Sequence, residues 1–145
     1  MTTAQPLASA PTTAPASKGW NIALWVVQVL LAAMFLMAGA TKLTQPMDAL
    51  ATQLPWTTAV PELLVRFIGL AEIAGALGLI LPSALRIRPR LTVLAALGLV
   101  VVMVLASGLH ASRGEFGMLP MNAVIAALAG LVAWGRTRKA PISPR

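Results

Sequence analysis

The sequence contains no cysteine, one histidine and few charged residues, and each shortage excludes a class of chemistry. Without cysteine, the chain itself supplies no disulfide, no thiolate metal ligand and no thiol redox group. A single histidine excludes a metal site built from several imidazoles. Only 10% of the residues are charged, whereas an ordinary soluble domain carries about 25%. We therefore expect neither a metal nor a covalent cofactor.

In place of charge, the chain has long apolar runs, and 58% of its residues are hydrophobic. These runs are too long for strands and lack an alternation of period two, which favours helices. The 145 residues accommodate four spans of about 20 residues, the length that crosses about 30 Å of hydrocarbon. The sequence therefore predicts an all-α protein, a four-transmembrane-helix bundle with the lipid bilayer as its first partner.

Charged residues and prolines set the predicted boundaries of the membrane domain at residues 19–136. The four spans are predicted at about residues 20–42, 63–81, 91–110 and 118–135. Pro61 and Pro120 are expected at helix starts, where a proline loses no internal hydrogen bond. Pro82 and Pro89 are expected to stop the helices on either side of the second link.

Three further segments lie outside these spans. Residues 1–18 are rich in Ala, Thr and Pro and are predicted to form a disordered N-terminal tail. Residues 137–145 form a basic tail. The link from Lys42 to Glu62 mixes apolar and polar residues, so we predict a short interfacial helix or a re-entrant segment lying on the bundle. An irregular surface loop is an equal alternative for this link.

The basic residues are distributed unevenly between the two sides of such a bundle. One side carries eight of them: Lys18, Arg86, Arg88, Arg90, Arg136, Arg138, Lys139 and Arg145. The other side carries Lys42, Arg66 and Arg113 with all four acidic residues. The positive-inside rule then places both termini in the cytoplasm. Because the basic residues serve as anchors at the edges of apolar runs, we expect no nucleic-acid partner despite the net charge of +7.

Glu72 is an acid inside an otherwise apolar stretch, and it is the first candidate for function. A carboxylate in hydrocarbon is costly unless a cation or a proton neutralises it. Counting from Glu62, the residue lies about 15 Å deep at 1.5 Å per residue. We predict an intramembrane polar cluster in the outer half of the bundle. Its members are Glu72, Lys42, His110, Arg66 and Asn122, in which Lys42 and Arg66 are the available cations for the acid.

Each member of this cluster also has a structural interpretation. Glu72 is equally explained as an ion-pair partner that fixes the register of two helices. Lys42 and Arg66 fit interfacial anchors, whose long side chains reach the membrane surface. His110 fits an ordinary helix end and Asn122 a helix start. The functional interpretation depends on the convergence of these residues on one side of the bundle.

Small residues are the second determinant of packing, because helices associate in a bilayer through close backbone contact and polar pairing. Gly69, Gly75 and Gly78 of the second span and Gly130 of the fourth are predicted packing positions. Helical geometry places Gly69, Glu72 and Gly75 close to one face. That face is therefore predicted to turn inward.

Several short motifs resemble those of the DoxX-like family. Gly39-Ala40-Thr41-Lys42-Leu43 is similar to its G-x-x-K-L signature, and Glu72-Ile73-Ala74-Gly75-Ala76-Leu77-Gly78-Leu79 to its E-x-x-G-x-x-G-L segment. His110 stands where many members place a histidine after the third span. Trp134-Gly135-Arg136 is similar to the end of their fourth span. The resemblance covers roughly residues 20–136.

The resemblance implies a four-helix integral protein of the bacterial cytoplasmic membrane. The family takes its name from subunits of a thiosulfate:quinone oxidoreductase, and relatives are thought to act beside redox enzymes. Carried over by position, Lys42, Glu72 and His110 would be the functional polar residues. The chain departs from a complete oxidoreductase because it has no recognisable haem, flavin or iron–sulfur motif.

Three functions remain open at this point. The first is a membrane subunit or partner of quinone-linked redox chemistry, with a quinone as ligand and a membrane-associated oxidoreductase as partner. The second is a structural or assembly protein without chemistry. The third is a small proton-coupled transporter. Four spans are few to enclose a transport pathway, although a homo-oligomer would supply more helices around it. The chain is not expected to be an enzyme by itself, because it has no catalytic motif of its own.

Overall fold

A computed structural model describes residues 18–145, so the predicted tail at residues 1–18 lies outside the described residues except for Lys18. Five α-helices follow one another in the described residues: α1 Lys18–Thr44, α2 Met47–Gln53, α3 Glu62–Leu85, α4 Arg90–Ser112 and α5 Leu119–Arg138. Short 3-10 helices lie at Pro55–Ala59 and Phe116–Met118. Residues 18–145 contain no strand. The prediction of an all-α protein is confirmed.

Within the part of the chain that the structure describes, four helical segments are long and apolar enough to cross a membrane. They are α1, α3, α4 and the segment Phe116–Arg138, which joins the second 3-10 helix to α5. Pro61 directly precedes α3, and Pro120 lies in the first turn of α5, as predicted. Four apolar spans of this length confirm the four-helix membrane bundle.

The prediction that Pro82 stops the second span is wrong, because α3 continues to Leu85. Pro82 donates no backbone hydrogen bond and its ring crowds the carbonyl oxygen of Gly78, yet α3 continues through it. The helix ends instead at Arg86, whose backbone adopts the left-handed conformation with φ of 57°. A residue in this conformation directly after the helix is a common way to end it.

The link between α1 and α3 is helical. It is therefore an ordered segment and not the irregular surface loop that was the alternative. It consists of α2 and the 3-10 helix Pro55–Ala59. Leu50 of α2 and Thr57 of the 3-10 helix are fully buried. The segment therefore packs against the long helices rather than projecting away from them.

The four long helices form a closed ring in the order α1, α3, α4, α5, in which α1 and α5 complete the circle. Apolar side chains of every long helix meet in the centre, among them Phe35, Leu79, Leu99 and Val132. The outward faces are also apolar, which suits helices whose solvent is lipid. The ring therefore leaves only its two ends and a few interior side chains for polar chemistry.

The two ends of the ring differ in composition. Trp20 at the start of α1 and Trp134 near the end of α5 meet edge to face, with ring centroids 5.6 Å apart. Both described chain ends therefore lie at one end, which we call the inner end and which includes the α3–α4 link. The opposite end, called the outer end, contains the end of α1, the start of α3 and the α4–α5 link.

Glycines permit the closest helix contacts. A Cβ atom on Gly75 would lie 2.6 Å from Leu99 Cδ2, and one on Gly78 would lie 2.6 Å from Ala95 Cβ, so both glycines face α4. Gly130 does not make the close helix contact that the sequence predicted for it, because a Cβ there would meet no atom within 4 Å. Gly135 makes the close contact of α5 instead, since a Cβ there would lie 2.5 Å from Leu24 Cδ2. Gly130 was predicted from spacing alone, which does not determine the face that meets a neighbour.

Candidate functional site

The site begins with a close approach of α1 and α3. A Cβ atom on Gly39 would lie 2.6 Å from the carbonyl oxygen of Gly69, and one on Gly69 would lie 2.9 Å from Lys42 Cβ. Only glycine fits at both positions without moving a backbone. Lys42 follows Gly39 by three residues, and Glu72 follows Gly69 by three residues. Residues three apart share a helix face, so this contact brings the two charged side chains together.

Lys42 and Glu72 form a two-pronged ion pair across the α1–α3 contact. Lys42 Nζ donates to Glu72 Oε2 at 2.8 Å and to Oε1 at 3.0 Å. Lys42 is 7% exposed and Glu72 is 4% exposed. The acid therefore faces protein, as its position in the apolar run required, and its partner is one of the two cations predicted for it.

Arg66, the second predicted cation, does not contact Glu72. Its guanidinium instead binds Glu62, with Nη2 donating to Oε1 at 2.9 Å. Its Nη1 donates to the carbonyl oxygens of Lys42 and of Gln45, the latter at 2.8 Å. The last carbonyls of a helix lack internal partners and attract cations, so the end of α1 binds this arginine. Arg66 thus positions the backbone of Lys42 rather than sharing its charge.

His110 near the end of α4 belongs to a second charged group at the outer end. His110 Nδ1 lies 2.6 Å from Glu115 Oε2, and Arg113 Nε donates to Glu115 Oε1 at 2.8 Å. Hydrogen bonds from His110 and then from Arg113 lower the pKa of the Glu115 carboxyl. His110 itself is 7% exposed. The α4–α5 link therefore holds a carboxylate against an otherwise buried imidazole.

A cavity of about 410 Å³ between α3 and α4 connects the two groups. Apolar side chains make most of its wall, among them Phe67, Ile68 and Leu105. Four polar residues line it: Lys42, Glu72, His110 and Asn122. Four of the five residues predicted from the sequence therefore meet in one cavity, and Arg66 is the member that does not line it.

Asn122 differs from the other polar residues that line this cavity. It lies in the first turns of α5 and is 7% exposed. Its Nδ2 is buried and has no hydrogen-bond partner within residues 18–145. A buried amide without a partner is unusual in a folded protein, because its desolvation is not offset. One residue of the cavity wall thus carries an unused donor. The described residues include no group of His, Asp and Glu that could hold a metal ion.

A polar cluster at the inner end was missed by sequence reasoning. Arg136 Nε donates to Gln28 Oε1 at 2.6 Å, and Gln28 Nε2 donates to the carbonyl oxygen of Leu79. Arg136 was placed among the anchors of the basic side, yet it is only 5% exposed. Gln28, the one polar residue in the middle of the first span, was the available signal for a partner at this depth.

The chain matches the DoxX-like family over residues 26–132. It belongs to the DoxX-like family. No curated protein and no solved structure matches the chain. The matched region contains α3, α4 and most of α1 and α5, so it includes every residue that lines the cavity.

In this DoxX-like protein, the two motifs noted in the sequence meet face to face. The G-x-x-K-L motif supplies Gly39 and Lys42, and the E-x-x-G-x-x-G-L motif begins at Glu72. The first motif supplies the close contact and the cation, whereas the second supplies the acid and the glycine contacts to α4. The two motifs therefore define one structural unit, an ion pair between tightly packed helices at the base of a cavity.

Proposed function

We propose that this DoxX-like protein is a membrane subunit or partner of a quinone-linked oxidoreductase, and that the cavity between α3 and α4 holds the quinone head. A quinone needs an apolar slot with a few polar groups that orient its carbonyl oxygens. The single observation that carries the proposal is the unpartnered donor Asn122 Nδ2 in an apolar cavity beside a buried ion pair.

Each polar group near the cavity has its own role in the proposed binding and reduction of the quinone. Asn122 Nδ2 donates to one carbonyl oxygen of the quinone. The charged pair Lys42–Glu72 provides a fixed dipole on the α1 side of the cavity. Reduction of a quinone to a quinol takes two electrons and two protons. The partner oxidoreductase supplies the electrons, and His110 with Glu115 passes protons from the outer end.

The proposal includes a location and an orientation. The protein lies in the bacterial cytoplasmic membrane with the inner end, and hence both termini, on the cytoplasmic side. The eight basic residues on that side support this orientation. The cavity then opens within the outer half of the bilayer, where a lipid-soluble quinone enters sideways between α3 and α4.

The test is the affinity of the purified protein in lipid nanodiscs for a short-chain quinone. Asn122→Leu removes the donor and keeps the side-chain size. We expect binding to weaken about tenfold, as the loss of one net hydrogen bond implies. Ser107→Ala is the control, because Ser107 Oγ bonds only the carbonyl oxygen of Met103 in its own helix and does not line the cavity. Unchanged affinity in Asn122→Leu would refute the quinone site.

A structural or assembly role is the second candidate, and one observation favours it. Lys42 and Glu72 satisfy each other with two hydrogen bonds, as expected of a pair that fixes the register of α1 against α3. In that case Asn122→Leu leaves the activity of a partner oxidoreductase unchanged. Glu72→Gln then lowers that activity only in proportion to the amount of folded protein in the membrane. Specific activity per folded molecule distinguishes the two roles.

A further inference from the structure

A second cavity lies at the inner end, between the α3–α4 link and the end of α5, and has a volume of about 750 Å³. Three arginines line it: Arg88, Arg90 and Arg136. Ser83 and Thr137 add hydroxyl groups to the same wall. The two hydroxyls already have partners, since Ser83 Oγ pairs with Thr92 Oγ1 and Thr137 Oγ1 donates to the carbonyl oxygens of Ala133 and Trp134. The three guanidinium groups are therefore the donors suited to a phosphate.

Arg136 is the buried anchor of this set. Its Nη1 donates to Asn21 Oδ1 at 2.7 Å, and its guanidinium carbon lies 5.2 Å from the centre of the Trp25 ring. Gln28, the third side-chain partner, is also neutral. Nη2 is buried and has no hydrogen-bond partner among residues 18–145. A buried cation that is held only by neutral groups lacks the counter-charge that such burial normally requires.

The chain provides no acidic side chain at this end. Its four acids are Asp48, Glu62, Glu72 and Glu115, and all of them belong to the outer end or the outer half. Eight basic residues lie at the inner end. An anion from outside the chain is therefore the natural partner of Arg136 and of its two neighbours in the cavity wall.

Turns and backbone hydrogen bonds hold the chain on both sides of the cavity. Arg86 and Arg88 both have positive φ, 57° and 47°, in the turn that leads into α4. At Arg86 this conformation ends α3, and Arg88 lies in the same turn on the cavity wall. On the other side, Ala140 N donates to the carbonyl oxygen of Gly135, and Arg145 N donates to that of Arg86. These two bonds hold residues 141–144 along the cavity, where they form part of its wall.

We propose that this cavity binds the phosphate of an anionic membrane lipid. The apolar residues Leu91, Val93 and Ile142 also line it, and they offer a surface for the glycerol and the first methylenes of an acyl chain. The position at the end of the membrane-spanning helices is the level of lipid headgroups. Basic pockets between helix ends on the cytoplasmic side are known recognition sites for anionic lipids. The inference is independent of the quinone proposal, because the two cavities share no residue.

The experiment is native mass spectrometry of the purified full chain in detergent, titrated with phosphatidylglycerol. Phosphatidylcholine and inorganic phosphate are titrated in parallel. The variant is Arg88→Gln with Arg90→Gln, which spares Arg136 because that residue also joins α1 to α5. The matched control is Lys18→Gln with Arg138→Gln, which removes the same charge from exposed residues outside the cavity.

We expect phosphatidylglycerol to bind at least tenfold more tightly than phosphatidylcholine. The cavity variant should weaken that binding at least tenfold, and the control less than threefold, since two cations that touch the phosphate are lost only in the former. Equal losses in both variants would overturn the site, because they would show a diffuse basic surface. Equal binding of both lipids would overturn it too. If inorganic phosphate binds to the cavity and phosphatidylglycerol does not, the proposal that the bound phosphate belongs to a lipid is overturned.

Discussion

Lys42 and Glu72 are opposite charges buried together at the contact between α1 and α3. Removing both charges from water is expensive, and the two hydrogen bonds between them offset that loss. Removing one partner leaves the other charge buried without compensation. The pair is therefore a strong constraint on how α1 meets α3, whether or not it also contacts a ligand.

The first prediction concerns the coupling within this pair. Lys42→Met or Glu72→Gln alone should lower the free energy of unfolding by about 3 kcal/mol, because each leaves an uncompensated buried charge. The double variant should lose clearly less than the sum of the two. Reversible unfolding in mixed micelles measures all three values. Additive losses would show that the two side chains do not interact in the folded protein.

The control for this cycle is the exposed pair of Arg66 and Glu62 in the first turns of α3. Glu62 is largely exposed, so its ion pair with Arg66 is screened by solvent. Glu62→Gln should change the free energy of unfolding by no more than about 0.5 kcal/mol. A loss as large as that of Glu72→Gln would mean that burial does not set the strength of these pairs.

The second prediction concerns Glu115, whose pKa is lowered by His110 and then by Arg113. A carboxyl with a lowered pKa stabilises the folded state when ionised, and that contribution disappears as pH falls through its folded pKa. Glu115→Gln should therefore lower Tm at pH 7. The difference in Tm from the unsubstituted protein should shrink below the ordinary glutamate value of about pH 4.3. A difference that stays constant down to pH 3 would contradict the assigned role.

Prediction of individual residues from the sequence succeeded where one physical requirement determined the position of a side chain. Glu72 had to turn inward and find a cation because hydrocarbon excludes a lone carboxylate. Arg66 does not pair with Glu72, because Glu62 and the carbonyls at the end of α1 bind its guanidinium, and a list of charged residues does not show those carbonyls. Arg136 was missed because an arginine at the edge of a span looks like an anchor unless its partner Gln28 is considered.

At the scale of the helix, the α1–α3 contact depends on two glycines that face each other. The carbonyl oxygen of Gly69 lies where a side chain on Gly39 would begin, and it is backbone, which does not move aside cheaply. The contact lies one turn from the ion pair on both helices. Helix separation therefore also sets the distance between Lys42 Nζ and the Glu72 carboxylate.

The third prediction compares two Gly→Ala substitutions. Gly39→Ala should lower the free energy of unfolding by about 1–3 kcal/mol, because the added methyl group forces α1 and α3 apart. Gly130→Ala is the matched control, since its methyl group meets open space. Alanine also has the higher helix propensity, so Gly130→Ala should be neutral or stabilising by up to about 1 kcal/mol. Equal destabilisation by both substitutions would contradict the packing described here.

Element-level prediction was reliable for spans and unreliable for the details of their ends. Length and apolarity fixed the four spans, because hydrocarbon thickness imposes both. Pro82 did not end α3, which continues through it to Leu85 although a proline disfavours the body of a helix. Spacing of small residues gave Gly75 and Gly78 as contacts but also gave Gly130, because spacing does not reveal the facing helix.

At the scale of the whole molecule, the two ends of the helix ring differ in their charged residues and in the cavity that each contains. The inner end holds eight basic residues and a cavity lined by arginines, whereas the outer end holds the Lys42–Glu72 ion pair and the cavity between α3 and α4. The ring order α1, α3, α4, α5 brings α3 and α4 side by side and creates the cavity between them. That order follows from three-dimensional packing, so the sequence predicted a polar cluster but no cavity.

The fourth prediction tests the orientation of the whole protein. The chain has no cysteine, so a single introduced cysteine reports its own location without further changes. Ser112→Cys at the outer end should react with a membrane-impermeant maleimide in intact spheroplasts. Ser143→Cys at the inner end should react only after permeabilisation. Both residues are exposed, so unequal reactivity reflects the side of the membrane. The reverse pattern would place the termini outside.

The most direct test of the central claim is photoaffinity labelling with an azido-quinone, followed by peptide mapping of the labelled protein in nanodiscs. We predict labels on cavity-lining positions such as Phe67 and Leu105, lost on addition of excess unlabelled quinone and reduced in Asn122→Leu. Labels spread over lipid-facing positions such as Leu30 and Val104, unaffected by competing quinone, would contradict the claim that this cavity binds the quinone head.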